Sequence, residues 1–461
     1  MQVTDVEQLL AAADAARPKI RNTTPGVRAE WLDAVADALD TAKDDLVALA
    51  QEETHLPNAR LTGELGRTTF QARLFAEGLR SGELIPTRID PADPAWGMGP
   101  RPELRRTVLP IGPVLVFAAS NFPFAFSVFG GDTVSALAAG CPVVLKAHPG
   151  HPRLSRRTAE VVVAALSAAG APDGTFGLLE GVEESLTALR DPRIRAAGFT
   201  GSTAGGRVLF DIAAGRPDPI PFYGELGSTN PVVVTPAGWA ERGDAIAREW
   251  VESLTLGAGQ FCTNPGVILV PDADAFVAAV ALPVPGRMLS ESMEKGFAGK
   301  VAEVGARDGV REAVTGDPND QGVRATVLRS TARDIVADPE ALDIEMFGPA
   351  GLVVGYGSED ELEEVVRLVP GQLTGTVQAH STDPDPVAAR VVPELADRVG
   401  RVVYNAWPTG VTVSGAQHHG GPWPSTTAPT STSVGLAAIT RWQRPVTFQG
   451  APASVLPPEL R

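Results

Sequence analysis

Val114-Leu-Val-Phe-Ala-Ala-Ser-Asn-Phe-Pro-Phe124 and, further on, Cys141-Pro-Val-Val-Leu-Lys-Ala-His-Pro149 decide the fold. Val114–Ala118 and Val143–Leu145 are short unbroken apolar runs, the pattern of strands buried on both faces. Between them Thr133–Ala139 reads as a helix stopped by Gly140. Toward the C-terminus the alternation continues: helix Ser155–Ala169, strand Phe176–Leu179, helix Glu183–Leu189, strand Ala196–Phe199. After Gly224 it restarts, with strands at Val232–Thr235, Val267–Val270, Leu352–Val354, Thr376–Ala379 and Val402–Tyr404. Helices Ala245–Leu256, Glu361–Leu368 and Pro386–Arg398 lie between them. Strands alternating with helices predict an α/β chain with parallel sheets, in two bodies. Toward the N-terminus the chain is helical to about residue 80, beginning with the acidic, Ala-rich Met1–Asp14. Thr24-Pro25 forms an N-cap followed by proline at the first helical position, and Trp31, Val35, Leu39 and Leu46 recur at helical spacing. Gly82–Pro110, rich in Pro and Gly, reads as a connector or exposed hairpin. The tail from Gly420 reads as irregular, with a strand near Arg441–Phe448.

Composition narrows the function class. A length of 461 residues allows roughly two to four domains, and 44% hydrophobic with 20% charged residues marks a globular chain. With 39 Lys+Arg against 55 Asp+Glu the net charge is −16, a field that repels polyanions. Only short basic clusters oppose it, at 101–106 and 153–157, so no nucleic-acid partner is expected. No apolar run is long enough to span a bilayer and no charged-then-apolar leader opens the chain, so no membrane is expected and the reading is cytoplasmic. Cys141 and Cys262 are the only cysteines, too few for a disulfide framework and not at zinc spacing.

Four fragments could carry chemistry. Cys262 stands in Gly257-Ala-Gly-Gln-Phe-Cys-Thr-Asn-Pro-Gly266, where glycines and a proline build a turn that lets backbone approach a ligand closely. Cys141, entering a strand, reads as structural. Glu225, in Tyr223-Gly-Glu-Leu-Gly-Ser-Thr-Asn-Pro231, is either a general base at a strand edge or a solvated turn carboxylate. Phe199-Thr-Gly-Ser-Thr-Ala-Gly-Gly206 follows a strand and precedes a helical segment, a place where backbone N–H groups hold phosphate or simply turn the chain. Asn121 follows the strand Val114–Ala118, where its amide could donate to a ligand. Lys146 ends the next strand as a ribose or phosphate ligand or as a solvated strand end. His148, His151, His418 and His419 raise a metal reading, but no acidic or thiol partner stands at ligand spacing in sequence, and no metal is expected.

Taken in order, Ser120-Asn-Phe-Pro, Lys146, Phe-Thr-Gly-Ser-Thr-x-x-Gly206, Glu225-Leu-Gly, Gly-Gln-x-Cys262 and Glu345-Met-Phe-Gly-Pro349 resemble the aldehyde dehydrogenase superfamily over nearly the whole chain. The variants Asn-Phe-Pro-Phe-Ala-Phe-Ser, Lys-Ala-His-Pro, Gln-Phe-Cys-Thr-Asn-Pro-Gly, Trp407-Pro-Thr-Gly-Val and His419-Gly-Gly-Pro422 resemble its α-ketoglutarate semialdehyde (2,5-dioxovalerate) and fatty-aldehyde branch. The resemblance implies an aldehyde dehydrogenase fold. A Rossmann-like cofactor domain would span 1–84 and 109–226, an α/β catalytic domain 227–420, and an oligomerisation arm 85–108 and 421–461, in a homodimer or homotetramer. It implies Cys262 as nucleophile, the Asn121 amide and Cys262 N–H as oxyanion donors, and Glu225 as the base for thioester hydrolysis. Lys146, Gly201, Ser202, Gly206, Glu345 and Phe347 would hold NAD or NADP. The glutamate that many NAD-preferring relatives place three residues after the lysine is Pro149 here. With Arg153, Arg156 and Arg157 nearby, NADP is expected to be accepted and even preferred. A dicarboxylic semialdehyde needs a cation for its distal carboxylate, and Arg67 and Arg73 are the candidates, each equally readable as a solvated helix charge. The competing readings are another aldehyde of the same fold, a CoA-acylating relative, which Glu225 argues against, and a non-enzymatic descendant, which the triplet Cys262, Asn121 and Glu225 argues against.

Overall fold

The computed structural model describes residues 5–461 as three sheets with helices packed on their faces. In the first, wholly parallel sheet the strands lie in the order Phe176–Leu179, Val143–Lys146, Val114–Phe117, Ala196–Thr200, Phe222–Glu225. Numbered along the chain, that order runs 3-2-1-4-5. It reverses direction between Val114–Phe117 and Ala196–Thr200, which opens a crevice beyond the carboxyl ends of those two strands. Val114, Leu115, Val143, Val144 and Leu145 are buried, because helices cover both faces. Pro25–Thr41, Asn58–Ser81, Gly131–Ala139 and Pro152–Ala168 cover one, while Val182–Arg190 and Thr203–Ala214 cover the other. The capping expected at Thr24 is present, its hydroxyl accepting from the Val27 N–H at 3.3 Å. The helix Val6–Arg21 falls in the expected N-terminal place; residues 1–4 lie outside the described residues.

The second sheet has seven strands, ordered Arg311–Thr315, Thr326–Thr331, Ala350–Gly355, Val267–Val270, Val232–Val234, Gln372–Gln378, Val399–Tyr404. Only Arg311–Thr315 runs antiparallel. Sequence reading missed it and Thr326–Thr331 for a physical reason. Arg311–Thr315 is a mostly exposed edge with no apolar run, and Thr326–Thr331 carries Arg329 in its middle. Among the described residues no helix is long and apolar enough to cross a membrane.

The third sheet is small and antiparallel: Arg88–Asp90, Leu104–Pro110 and Gln443–Gln449. The segment expected as an arm, 421–461, is divided by the structure. Gln443–Gln449 does join this sheet. The 3-10 turns Leu436–Trp442 instead pack on Gly131–Ala139 and bury Leu436, Ile439 and Trp442 in the five-stranded body. The Trp442 indole N–H donates to Ser135 Oγ at 2.8 Å, and Arg441 pairs with Asp132 at 2.6 Å. The Pro-, Ser- and Thr-rich composition hid this, because a few large apolar side chains suffice to dock an irregular segment.

Candidate active site

Asn121, Glu225 and Cys262 converge where the two large sheets meet. Asn121 follows the first strand of the five-stranded sheet, Lys146 ends the second, Gly201 and Ser202 follow the fourth, and Glu225 ends the fifth. Cys262 and Glu345 precede strands Val267–Val270 and Ala350–Gly355, so the carboxyl edge of one sheet faces the amino edge of the other.

The Cys262 turn is made by three consecutive left-handed residues, Gly257, Ala258 and Gly259, at φ +57°, +55° and +69°. Gly259 is needed twice over: a Cβ there would stand 2.1 Å from the Gly348 carbonyl oxygen. Asn230, wholly buried and itself left-handed at φ +48°, fastens the turn by donating from Nδ2 to the carbonyls of Cys262 and Asn264, both at 2.9 Å. The Asn121 loop is fastened from the helix Asn58–Ser81. Arg60 donates to the Asn121 carbonyl at 2.7 Å and lies against both the Phe122 and Phe261 rings, which touch each other edge to face, while Glu64 accepts the N–H groups of Phe124 and Ala125 at 2.8 and 2.9 Å. One amide hydrogen of Asn121 goes to the Gln260 carbonyl at 3.1 Å; the side chain has a second to offer.

The thiol does not stand alone. His419 Nε2 lies 3.4 Å from Cys262 Sγ and 2.8 Å from Glu225 Oε1, and Ser433 Oγ donates to Glu225 Oε2 at 2.5 Å. Burial works to raise Glu225, but the His419 ring and the hydrogen bonds from His419, Ser433 and the Cys262 thiol hold the carboxyl below the usual carboxylate range. Burial, then the Glu225 charge beside it, pushes the Cys262 thiol well above its ordinary value, with Arg401 opposing. The resting pair is therefore a protonated thiol and a carboxylate joined through His419, a nucleophile with a proton acceptor in its neighbourhood. His419 and Ser433 were missed as site members because they are remote in sequence; the only signal was a histidine followed by two glycines in an otherwise polar tail.

The aldehyde dehydrogenase family model matches residues 1–444. The chain belongs to the aldehyde dehydrogenase family. The alpha-ketoglutaric semialdehyde dehydrogenase 2 of Azospirillum brasilense is 45% identical over 99% of this chain and 89% of its own length. The alpha-ketoglutaric semialdehyde dehydrogenase of Acinetobacter baylyi is 40% identical over 99% and 88%. Among solved structures, the NAD-dependent aldehyde dehydrogenase of Sinorhizobium meliloti superposes with a TM-score of 0.78 at 22% identity, covering 97% of this chain and 88% of that one, a likeness of fold.

As a member of that family the enzyme uses NAD(P), and the crevice fits a dinucleotide. Ser202 caps Thr203–Ala214 by accepting from the Gly205 N–H at 3.2 Å, and it stands exposed with Gly201 at the helix N-terminus, where an anion is favoured. Gly206 lets the helix press on Leu226, whose side chain would lie 2.1 Å from an added Cβ. Glu345 and Phe347 line one cleft with Ser228 and Phe261. Glu345 meets no cation there; burial pushes it up to about 8, so at neutral pH it can both donate to and accept from a sugar hydroxyl.

Other expectations need correcting. Arg153 pairs with Glu52 at 3.0 Å, Arg156 with Glu180 at 2.7 Å and Arg157 with Asp45 at 2.8 Å, so the three arginines invoked for a 2′-phosphate are already matched by carboxylates. Arg73 pairs with Asp37 and Asp40 at 2.6 and 2.8 Å on the outer side of its helix, so its charge is matched there and not held for a substrate. Arg67 is held inward: it donates to the Val411 carbonyl at 3.3 Å and lies 5.5 Å over the Phe126 ring, which in turn stands 6.5 Å from the His419 ring. Its charge is felt by both Cys262 and Glu225. His151 is a structural histidine, bonded to Ser155 and the Ala119 carbonyl. His419, set aside for want of acidic or thiol neighbours in sequence, has both in space.

Proposed function

We propose that this enzyme oxidises 2,5-dioxovalerate to 2-oxoglutarate with NAD(P), through a covalent thioester on Cys262. The observation that carries the chemistry is the hydrogen-bonded set Cys262, His419 and Glu225. In the forward reaction Glu225, with His419 against it, takes the thiol proton as Cys262 Sγ bonds to the aldehyde carbon. The oxyanion so formed is held by the Asn121 amide and the Cys262 N–H, donors fixed before the charge develops. NAD(P), held by Lys146, Gly201, Ser202, Gly206, Glu345 and Phe347, supplies the acceptor for the hydride lost from that carbon. Glu225 first passes the thiol proton to solvent; the Cys262 thioester then meets a water whose proton Glu225 removes, hydroxide adds, the C–S bond breaks, the departing thiolate takes the proton back from Glu225, and the carboxylic acid formed loses its own proton to solvent. The net change is aldehyde, water and oxidised cofactor to carboxylate, reduced cofactor and two protons. Glu225 is what makes water, not a carrier thiol, the acyl acceptor.

The substrate class rests on Arg67 and on the two relatives of 45% and 40% identity. A guanidinium enclosed near the thiol, with most of its five donors uncommitted, suits the distal carboxylate of a dicarboxylic semialdehyde. NADP is accepted on this reading, since Pro149 supplies no carboxylate and Lys146 supplies a cation. Assays of 2,5-dioxovalerate, succinic semialdehyde and a long-chain aldehyde with both cofactors test it. The dioxovalerate should give the highest kcat/KM, and Arg67→Ala should raise its KM by roughly 10–100-fold while leaving the long-chain aldehyde little changed. Equal effects on both would reject Arg67, and preference for the long-chain aldehyde would reject the substrate. A cytoplasmic homodimer or homotetramer joined through the three-stranded sheet is part of the same proposal, and light scattering on the purified chain reads the stoichiometry.

A further inference from the structure

Glu225, Cys262 and His419 offer three different ligand atoms, a carboxylate oxygen, a thiol sulfur and an imidazole nitrogen, all within 4.8 Å of one another. We infer that these three side chains form a binding site for a borderline-soft divalent cation of the zinc type, and that its occupancy blocks the enzyme reversibly. Tetrahedral zinc bonds of about 2.0–2.3 Å put neighbouring ligand atoms roughly 3.3–3.7 Å apart. The Sγ–Nε2 separation of 3.4 Å already matches that span, and the Nε2–Oε1 separation of 2.8 Å has to widen by only about half an ångström.

Charge and second contacts agree with the geometry. A thiolate and a carboxylate neutralise a divalent cation, which matters because Glu225 and His419 are only 5% and 1% exposed. Ser433 holds the other oxygen of Glu225, leaving Oε1 for the ion. In the free site His419 Nε2 bonds Glu225 Oε1; binding the ion breaks that bond, moves the ring proton to Nδ1, which has no partner in the free site, and turns the Nε2 lone pair inward. Sulfur and nitrogen donors exclude magnesium and calcium from tight binding. On binding, the S–H bond breaks, a metal–sulfur bond forms, and the proton leaves to solvent with no change in oxidation state. Three protein ligands leave the fourth position to water. Binding rests on the geometry alone; only its inhibitory consequence rests on the roles proposed for Cys262 and Glu225.

The test uses chelator-treated full-length protein titrated with ZnCl2, and with CoCl2 to follow the thiolate-to-cobalt charge-transfer band, beside Cys262→Ser, His419→Gln and Cys141→Ser. Wild type and Cys141→Ser should bind one equivalent. Cys262→Ser should lose the band, His419→Gln should weaken binding by more than about tenfold, and dehydrogenase activity should vanish with zinc and return with EDTA. No uptake by wild type, or undiminished uptake by both site variants, overturns the proposal. Metal binding by a chain that fails to oxidise 2,5-dioxovalerate sinks the reading of the preceding subsection and not this one.

Discussion

Glu225 and Cys262 compete for a proton that, in the resting site, stays on sulfur: the carboxyl is held low by its hydrogen bonds while the thiol is pushed up by burial and by the carboxylate beside it. Replacing the acid by its amide removes both the charge and the strongest acceptor. Glu225→Gln should therefore move the pH profile of Cys262 alkylation by iodoacetamide toward lower pH; an unmoved profile would mean the carboxylate does not govern the thiol. The same variant should slow the first-turnover burst of reduced cofactor, because Glu225 takes the thiol proton, and should lose steady-state turnover by about 10²–10⁴-fold, because hydrolysis needs the same base. Stopped-flow absorbance separates the two phases.

Two elements set the distances within which that chemistry works. The helix Asn58–Ser81 presents Arg60, Glu64 and Arg67 inward at i, i+4 and i+7 spacing, and the first two clamp the loop that carries Asn121. Glu64→Ala orphans two buried N–H groups and should lower stability by about 2 kcal/mol, visible in urea unfolding, together with kcat. Gly259→Ala meets both a positive φ and the Gly348 oxygen 2.1 Å away; displacement of the turn by an ångström should cut kcat by about 10²-fold. Full activity in that variant would show the turn to be more yielding than its packing suggests. Much at this scale was legible in sequence. Apolar runs located the buried strands, and the glycines around Cys262 announced a turn. The clamp was not legible, because inward-facing charges on a helix look the same in sequence as solvated ones until the loop they hold is in place. Arg67 and Arg73 show the ambiguity: one turned inward and the other outward, and nothing local distinguished them.

At the scale of the molecule, the site depends on a segment that composition alone marks as expendable. His419 and Ser433 belong to the polar tail, and that tail is docked by Trp442, fully buried with its indole bonded to Ser135. Trp442→Ala should destabilise the five-stranded body by roughly 3–5 kcal/mol and, through the loosened tail, depress turnover even below the unfolding temperature; calorimetry paired with assays at low temperature checks both parts. Long-range pairing of this kind carries no periodicity to read. It also sets an order of events in the cell. His419 lies 157 residues downstream of Cys262, and 194 downstream of Glu225. During synthesis the ribosome therefore delivers the sulfur long before the ring and hydroxyl that will surround it. A nascent chain carries an unaccompanied thiol, and competence arrives only when the last stretch has emerged and folded back.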